Sequence, residues 1–190
     1  YEAIEENVLN SQSFLYEEPY FLLQKEVSEI GSYFSLIKAI AVGNRKLSDI
    51  ATNLGLKQTG LTKYLKVLMD LDLVEREVPV TETAPEKSKS GLYRIADNFI
   101  AFWFKFVYPY RAYLEKGETA FVKKGFAQNY ASFVYEDVCR EKMWELSAAN
   151  TWSFHFDKVG RYWGAKAGEI DIVGIDTANG NLVLGECKYT

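Results

Sequence analysis

The chain has 190 residues, 48% of them apolar, and carries 22 Lys and Arg against 26 Asp and Glu, for a formal charge of -4. That is enough apolar material for one large or two small cores. Two cysteines and a single histidine exclude a disulfide framework or a Cys/His zinc cage. No apolar run reaches a membrane span, since Phe99 to Tyr108 is interrupted by Lys105 and followed by Pro109, and no signal peptide is evident, so a cytoplasmic protein with no membrane partner is expected.

Charge is unevenly spread. Residues 1–30 hold seven acidic residues against Lys25 alone, whereas residues 31–71 hold six basic residues (Lys38, Arg45, Lys46, Lys57, Lys63 and Lys66) against Asp49 and Asp70. An acidic total therefore does not exclude a nucleic-acid partner, because the local field decides where a phosphate backbone docks. Residues 1–30 read as a helical lead-in. Over 31–97, Tyr33, Phe34, Ile37 and Ile40 recur at helical spacing until Gly43-Asn44, and Leu47, Ile50, Ala51 and Leu54 make a second short helix stopped by Gly55. A third helix begins near Thr59 and buries Leu61, Leu65 and Leu68. Val74 to Val78 and Gly91 to Ile95 then read as a strand pair joined by a polar loop. Three helices and a β-hairpin in this order make a winged helix-turn-helix.

The outer face of its third helix carries Gln58, Thr59, Thr62, Lys63 and Lys66, hydroxyls and cations of the kind that reach phosphates and base edges. Lys87, Lys89 and Arg94 in the wing are placed to touch an adjacent backbone. DNA is the expected partner; no Arg or Asn on that face argues for sequence-specific readout. The opposing reading is a solvated face on a winged helix that binds protein. Residues 98–125 form an aromatic linker helix in which Phe99, Phe102, Trp103, Phe104, Phe106 and Tyr108 supply a buried packing surface, ended by Pro109. An exposed base-stacking platform is the alternative. Trp152, Phe154, His155, Phe156, Tyr162 and Trp163 read as strand and loop core, with His155 structural.

Over 126–190, an apolar stripe through Phe126, Tyr130, Phe133, Val134 and Val138 predicts a helix. Residues 168–173 and 182–188 read as two strands around Asn179-Gly180, the strongest short hairpin signal. With those two residues as the turn, Ala178 stands opposite Asn181 and Asp171 opposite Lys188, so Asp171, Glu186 and Lys188 share one face and Ile170, Ile172, Val183 and Cys187 the other. Two carboxylates so close call for a cation, and hard oxygen ligands suit Mg²⁺. Asp171 and Glu186 are the candidate metal ligands, and Lys188 offsets charge developing on a phosphoryl group or positions the attacking water. A solvated hairpin face is the alternative.

These residues resemble the PD-(D/E)XK nuclease superfamily, with Asp171 at its acidic position and Glu186 and Lys188 at its E-x-K. The resemblance implies a helical glutamate upstream, which Glu136 supplies, with Asp137 as a rival nearer the centre of the apolar stripe. It also implies further strands and a helix beyond Thr190, so the nuclease-like domain is expected to be truncated at its C-terminus. Tyr16-Glu17-Glu18-Pro19, the winged helix, the Phe102-Trp103-Phe104 run and the terminal E-x-K together resemble the C-terminal region of archaeal and bacterial DEXX-box ATPases of the AAA type (the DUF234 type). That resemblance places ATP only in a missing N-terminal ATPase domain, and no G-x-x-x-x-G-K loop occurs in these residues. The expected fold class is α+β, a winged helix-turn-helix followed by a truncated nuclease-like α/β domain. Two functions stay open: a Mg²⁺-dependent DNA endonuclease with catalytic Asp171, Glu186, Lys188 and Glu136, or a non-catalytic DNA- or protein-interaction module governed by the ATPase.

Overall fold

Leucines three and four residues apart close the middle of the first unit. Leu61, Leu65 and Leu68 are essentially fully buried, as are Ile37 and Ile50, the arrangement that an apolar stripe of helical period dictates. In the computed structural model, which describes residues 1–164 and 168–189, the chain is mixed α and β with two small antiparallel sheets. It divides into one unit of Tyr1–Glu77 with Leu92–Gly125 and another of Val78–Gly91 with the residues from Phe126 onward.

The first unit begins with α1 (Glu2–Ile4), continued by a π turn (Glu5–Leu9), and α2 (Phe14–Glu26). Then follow α3 (Ile30–Ala41), α4 (Leu47–Leu54) and α5 (Gln58–Asp70). Gly55 ends α4 in the left-handed region at φ +64°, its N–H donating to the Ala51 and Thr52 carbonyls, as a helix stop of this kind requires. Strands β1 (Val74–Glu77) and β2 (Leu92–Ile95) pair antiparallel, Val74 opposite Ile95 and Glu75 opposite Arg94. Tyr93 N–H donates to the Arg45 carbonyl at 2.7 Å, and Arg45 Nη2 donates to Glu77 Oε2 at 2.8 Å.

The aromatic run is core. Asp97 caps α6 (Asn98–Phe102) by accepting the Ile100 N–H at 2.8 Å, Trp103 and Phe104 are fully buried, and Trp103 Nε1–H donates to the Tyr16 carbonyl at 2.7 Å. Pro109 does not end the helical path as expected. The chain runs from α6 through a π turn (Trp103–Val107) and a 3-10 turn (Tyr108–Tyr110) into α7 (Arg111–Leu114). Pro109 sits at the start of the 3-10 turn, where its missing N–H removes no ladder bond, and the wider π turn before it relieves the ring clash that an α-helical ladder would impose. α8 (Ala120–Gly125) closes this unit.

The second unit is a three-stranded antiparallel sheet of order β3 (Lys158–Gly164), β4 (Gly168–Asp176), β5 (Asn181–Gly185), with α9 (Ala131–Ala148) packed on one face. Met143, Phe156 and Ile172 form its buried centre, and Cys139, Trp152, Phe154, Val159, Val183 and Cys187 pack around them. Gly174 is forced by this packing, since a Cβ there would lie 2.9 Å from the Phe156 ring. The sequence-predicted stripe on α9 is corrected at its end: Val138 is 52% exposed, and Met143 supplies the contact. Residues 78–91 belong to this unit, with Val80 N–H donating to the Arg161 carbonyl at 2.9 Å and Trp163 Nε1–H to the Ser90 carbonyl at 3.0 Å.

The hairpin register also differs from the sequence expectation. Asp176 pairs with Asn181, so the connection is Thr177 to Gly180 rather than Asn179-Gly180 alone. The cause is Asp176, whose carboxylate accepts the Asn179 N–H and the amide N–H groups of Asn179 and Asn181, while its carbonyl accepts the Gly180 N–H at 2.8 Å. An aspartate that captures the backbone two or three residues on builds a wider turn than Asn-Gly does by itself. The shift is two residues, so the faces of β5 are kept, but continuing the register sets Asp171 against Glu186 instead of Lys188.

Candidate functional site

The β3–β4 ladder carries an irregularity at Asp171. Gly160 pairs with Val173 and Tyr162 with Ile170, so Asp171 and Ile172 together stand opposite Arg161 alone. An extra residue of this kind breaks strict alternation and re-aims a side chain. Asp171 thereby faces two elements at once. Its Oδ2 accepts the Cys187 N–H at 2.9 Å, and its carbonyl accepts from Arg140 Nη1 on α9 at 3.1 Å.

Glu136 lies on the same helix, one turn before Arg140, and is electrostatically coupled to Asp171. Arg140 Nη1 and Arg161 Nε stand 3.8 and 3.7 Å from Glu136 Oε2, beyond hydrogen-bond reach, and that oxygen is buried without a hydrogen-bond partner among the described residues. Burial pushes the Glu136 carboxyl above the ordinary carboxylate range; Arg161 opposes the shift and Asp171 adds to it. Asp137 turns to Arg140, with which it forms a hydrogen-bonded ion pair. Of the two rivals on α9, Asp137 is hydrogen-bonded to Arg140, whereas Glu136 Oε2 is ion-paired with Arg140 and Arg161 without a hydrogen bond. Arg161, a side chain 6% exposed, is ion-paired with Glu169.

The E-x-K segment follows β5 without being part of it. Glu186 and Lys188 are exposed, and Cys187 between them is half-buried. The segment is held to the rest of the unit by the Cys187 N–H on Asp171, by Cys187 packing against the core and by the Tyr189 ring, 5.7 Å from the Tyr135 ring on α9. Burial and the Cys139 thiol push the Cys187 thiol up to about 12. Asp171 and the E-x-K backbone are therefore in contact, Arg140 stands near both Asp171 and Glu136, and the Glu186 and Lys188 side chains reach solvent. Among the described residues no group of three or more His, Cys, Asp and Glu side chains is arranged to hold a metal ion. The donor chemistry suits a hard cation in one respect, the buried Glu136 oxygen that makes no hydrogen bond among the described residues.

On α5, Gln58, Thr59, Thr62, Lys63 and Lys66 all lie on the exposed side, opposite Leu61, Leu65 and Leu68. Thr62 donates its hydroxyl to the Thr59 carbonyl. The Lys63 ammonium sits 4.5 Å from the Tyr64 ring centre, and the Tyr64 hydroxyl donates to Glu29. Tyr64 first, and then Glu29, shift the Lys63 pKa upward. An open groove of about 590 Å³ runs beside this face, lined by Leu56, Lys57, Gly60, Lys63 and part of α3. Arg94 is ion-paired with its cross-strand neighbour Glu75, and Lys87 and Lys89 fall in the second unit with the 78–91 segment.

Residues 103–190 match the DUF234 family, described as archaea bacterial proteins of unknown function. The match takes in Glu136, Asp171 and the E-x-K segment. Along its whole length the chain is 36% identical to an uncharacterized protein of Methanocaldococcus jannaschii. It spans 43% of that relative's length, less than half.

Sequence reasoning missed Arg140, Arg161 and Cys139 as members of this cluster. Arg140 had a signal, its placement four residues after Glu136 on a helix, the spacing at which opposite charges meet. Arg161 had none, because it enters only through the irregular pairing at Asp171.

Proposed function

We propose that this chain is the DNA-binding and nuclease-like region of a DEXX-box ATPase, and that its second unit carries a site for Mg²⁺-dependent phosphodiester hydrolysis. One observation supports the reading: Arg140 Nη1 stands between the Asp171 carbonyl and the buried Glu136 carboxylate, and Asp171 is tied by its side chain to the backbone of the E-x-K segment. In this reading the first unit is a winged helix whose Gln58, Thr59, Thr62, Lys63 and Lys66 face the DNA backbone, with Lys87 and Lys89 as further phosphate contacts. The second is a PD-(D/E)XK-like domain.

Asp171 and Glu186 would hold the ion, with Glu136 as supporting ligand or water orienter. A bound Mg²⁺ would supply Lewis-acid polarisation of the phosphate and a more acidic water. Lys188, exposed at the end of the segment, meets the negative charge on the phosphoryl oxygens. Arg140 and Arg161 keep the carboxylates compensated and hold α9 to β4, which fixes the distance between Glu136 and Asp171. Calcium, which takes the same oxygen ligands, provides the test. Calorimetry should show Ca²⁺ binding that Asp171→Asn abolishes, and equal heats from both proteins would remove the site.

A second reading, an interaction module without turnover, is favoured by the absence of a three-ligand cluster among the described residues. It calls for salt-sensitive DNA or protein binding that survives Glu186→Ala.

A further inference from the structure

Helix α2 buries Tyr16, Pro19 and Leu23 on its inner side. On its outer side Phe14, Glu18, Phe21, Leu22 and Lys25 follow one another at helical spacing, and Phe14, Phe21 and Leu22 are 74%, 51% and 43% exposed. Apolar residues stepped one and two turns apart in this way are the anchors of a helix that lies in a groove. The same unit carries an apolar groove, the open one of about 590 Å³ beside α3 and α5. Leu54 and Leu56 line it, and Leu56 is 54% exposed. Gly31 on α3 and Gly60 on α5 line it too, and a Cβ built on either meets nothing within 4 Å, so backbone rather than side chain makes part of the wall and leaves room for an incoming residue.

Charge sets the register between the two. Glu18 and Lys25 stand two turns apart on α2, about 10 Å at the helical rise, and among the described residues neither makes an ion pair. Lys57 and Tyr64, which bound the α5 side of the groove, are separated by the same two turns. Lys57 likewise makes no ion pair among the described residues, and the Tyr64 hydroxyl donates to Glu29 at 2.5 Å. An α2 laid along the groove in the direction of α5 therefore sets Glu18 against Lys57 and Lys25 against Glu29, with Phe21 and Leu22 between them. We propose that the groove takes the α2 helix of a second copy of this chain, and that the exchange is made twice in a two-fold dimer. Only residues 27–30 separate the end of α2 from Gly31, so stripe and groove adjoin, and a surface holding both halves of a contact is self-complementary as a two-fold axis requires. The dimer stands independently of the hydrolase reading. Lys63 also lines the groove, so the second copy covers part of the face assigned above to DNA.

Sedimentation equilibrium of the intact protein over a concentration series supplies the test. The expected result is twice the chain mass at high concentration, one chain mass on dilution, and a shift toward the single chain as salt screens the charged ends of the contact. Phe21→Ser should leave only the single chain. Gly60→Leu should do the same by filling the groove, and because its Cβ enters open space the far-UV circular dichroism should match wild type. Glu18→Lys should weaken the dimer about tenfold, two surface pairs being lost, and Glu18→Lys combined with Lys57→Glu in one chain should recover it. A single chain mass at every concentration would overturn the proposal, leaving the stripe and groove to other occupants. So would a dimer that Phe21→Ser and Gly60→Leu both leave intact, or a charge-exchanged protein as weak as Glu18→Lys alone. A mass that climbs past two chains, the product of an open head-to-tail contact, would overturn the two-fold exchange.

Discussion

Asp171 has two separable duties, and two substitutions distinguish them. Its Oδ2 accepts the Cys187 N–H at 2.9 Å, and a hydrogen bond to a charged acceptor contributes roughly 1.5–3 kcal/mol. Asp171 is half-buried, which places the effect at about the lower end of that range. Asp171→Ala leaves the Cys187 N–H without its acceptor and frees the segment that ends in Lys188 and Tyr189. Asp171→Asn keeps a carbonyl oxygen at the same reach and removes only the charge, so the stability loss should stay below about 1 kcal/mol. Urea denaturation followed by tryptophan fluorescence reads the difference, since Trp152 packs on the second unit's core. With a slope of about 1–3 kcal/mol/M, the alanine variant's midpoint should fall by about 0.5–1.5 M and the asparagine variant's by less. Hydrogen exchange localises it: the Cys187 amide should lose protection in Asp171→Ala and keep it in Asp171→Asn. Equal midpoints for the two variants, or an unchanged Cys187 amide in Asp171→Ala, would refute the reasoning.

Glu136 has a folded pKa above its unfolded one because of burial; its contribution is therefore fully present below the unfolded value and lost as pH rises through the raised one. Glu136→Gln should accordingly gain in stability relative to wild type across that window, and urea midpoints over a pH series that stay parallel would contradict it. Gly174→Val places side-chain carbon where the Phe156 ring already stands, with the Cβ itself at 2.9 Å, so the thermal midpoint should fall by an amount corresponding to about 1–3 kcal/mol of overpacking. Replacing Lys63 and Lys66 together with Gln should weaken binding to any DNA duplex and lower the slope of log K against log salt by about 2, near 0.9 per lost phosphate contact; an unchanged slope would take α5 off the DNA. Asp176→Ala removes the acceptor of three N–H groups in the β4–β5 turn, and faster amide exchange at Asn179 and Gly180 should report it.

Helix periodicity carried most of what was legible beforehand. Leu61, Leu65 and Leu68 set the inner face of α5 and leave Thr62, Lys63 and Lys66 outside, because a 3.6-residue repeat fixes both faces at once. Pattern reading failed where one side chain reorganises its local backbone. Asp176 gathers the amides of Asn179 and Asn181 and widens the turn, which no alternation of apolar residues reveals. The extra residue at Asp171 depends on pairing with β3, a partner whose register is set by long-range contact and not by neighbours in sequence. Pro109 departs from the sequence expectation for a related reason: the cost of a proline inside a helix disappears when the ladder itself changes from π to 3-10 around it. Among the described residues no helix is long and apolar enough to cross a membrane, in line with the interruption at Lys105.

The central claim is that Asp171 and the E-x-K segment hydrolyse phosphodiesters. The most direct measurement incubates the intact protein with single-stranded, duplex and branched DNA in Mg²⁺ or Mn²⁺, beside Asp171→Asn and Lys188→Ala. The account predicts metal-dependent cleavage of at least one substrate by the wild-type protein, lost in both variants while their urea midpoints stay close to its own. DNA retained in a shift assay with no cleavage in either metal, or cleavage that both variants preserve, would contradict it.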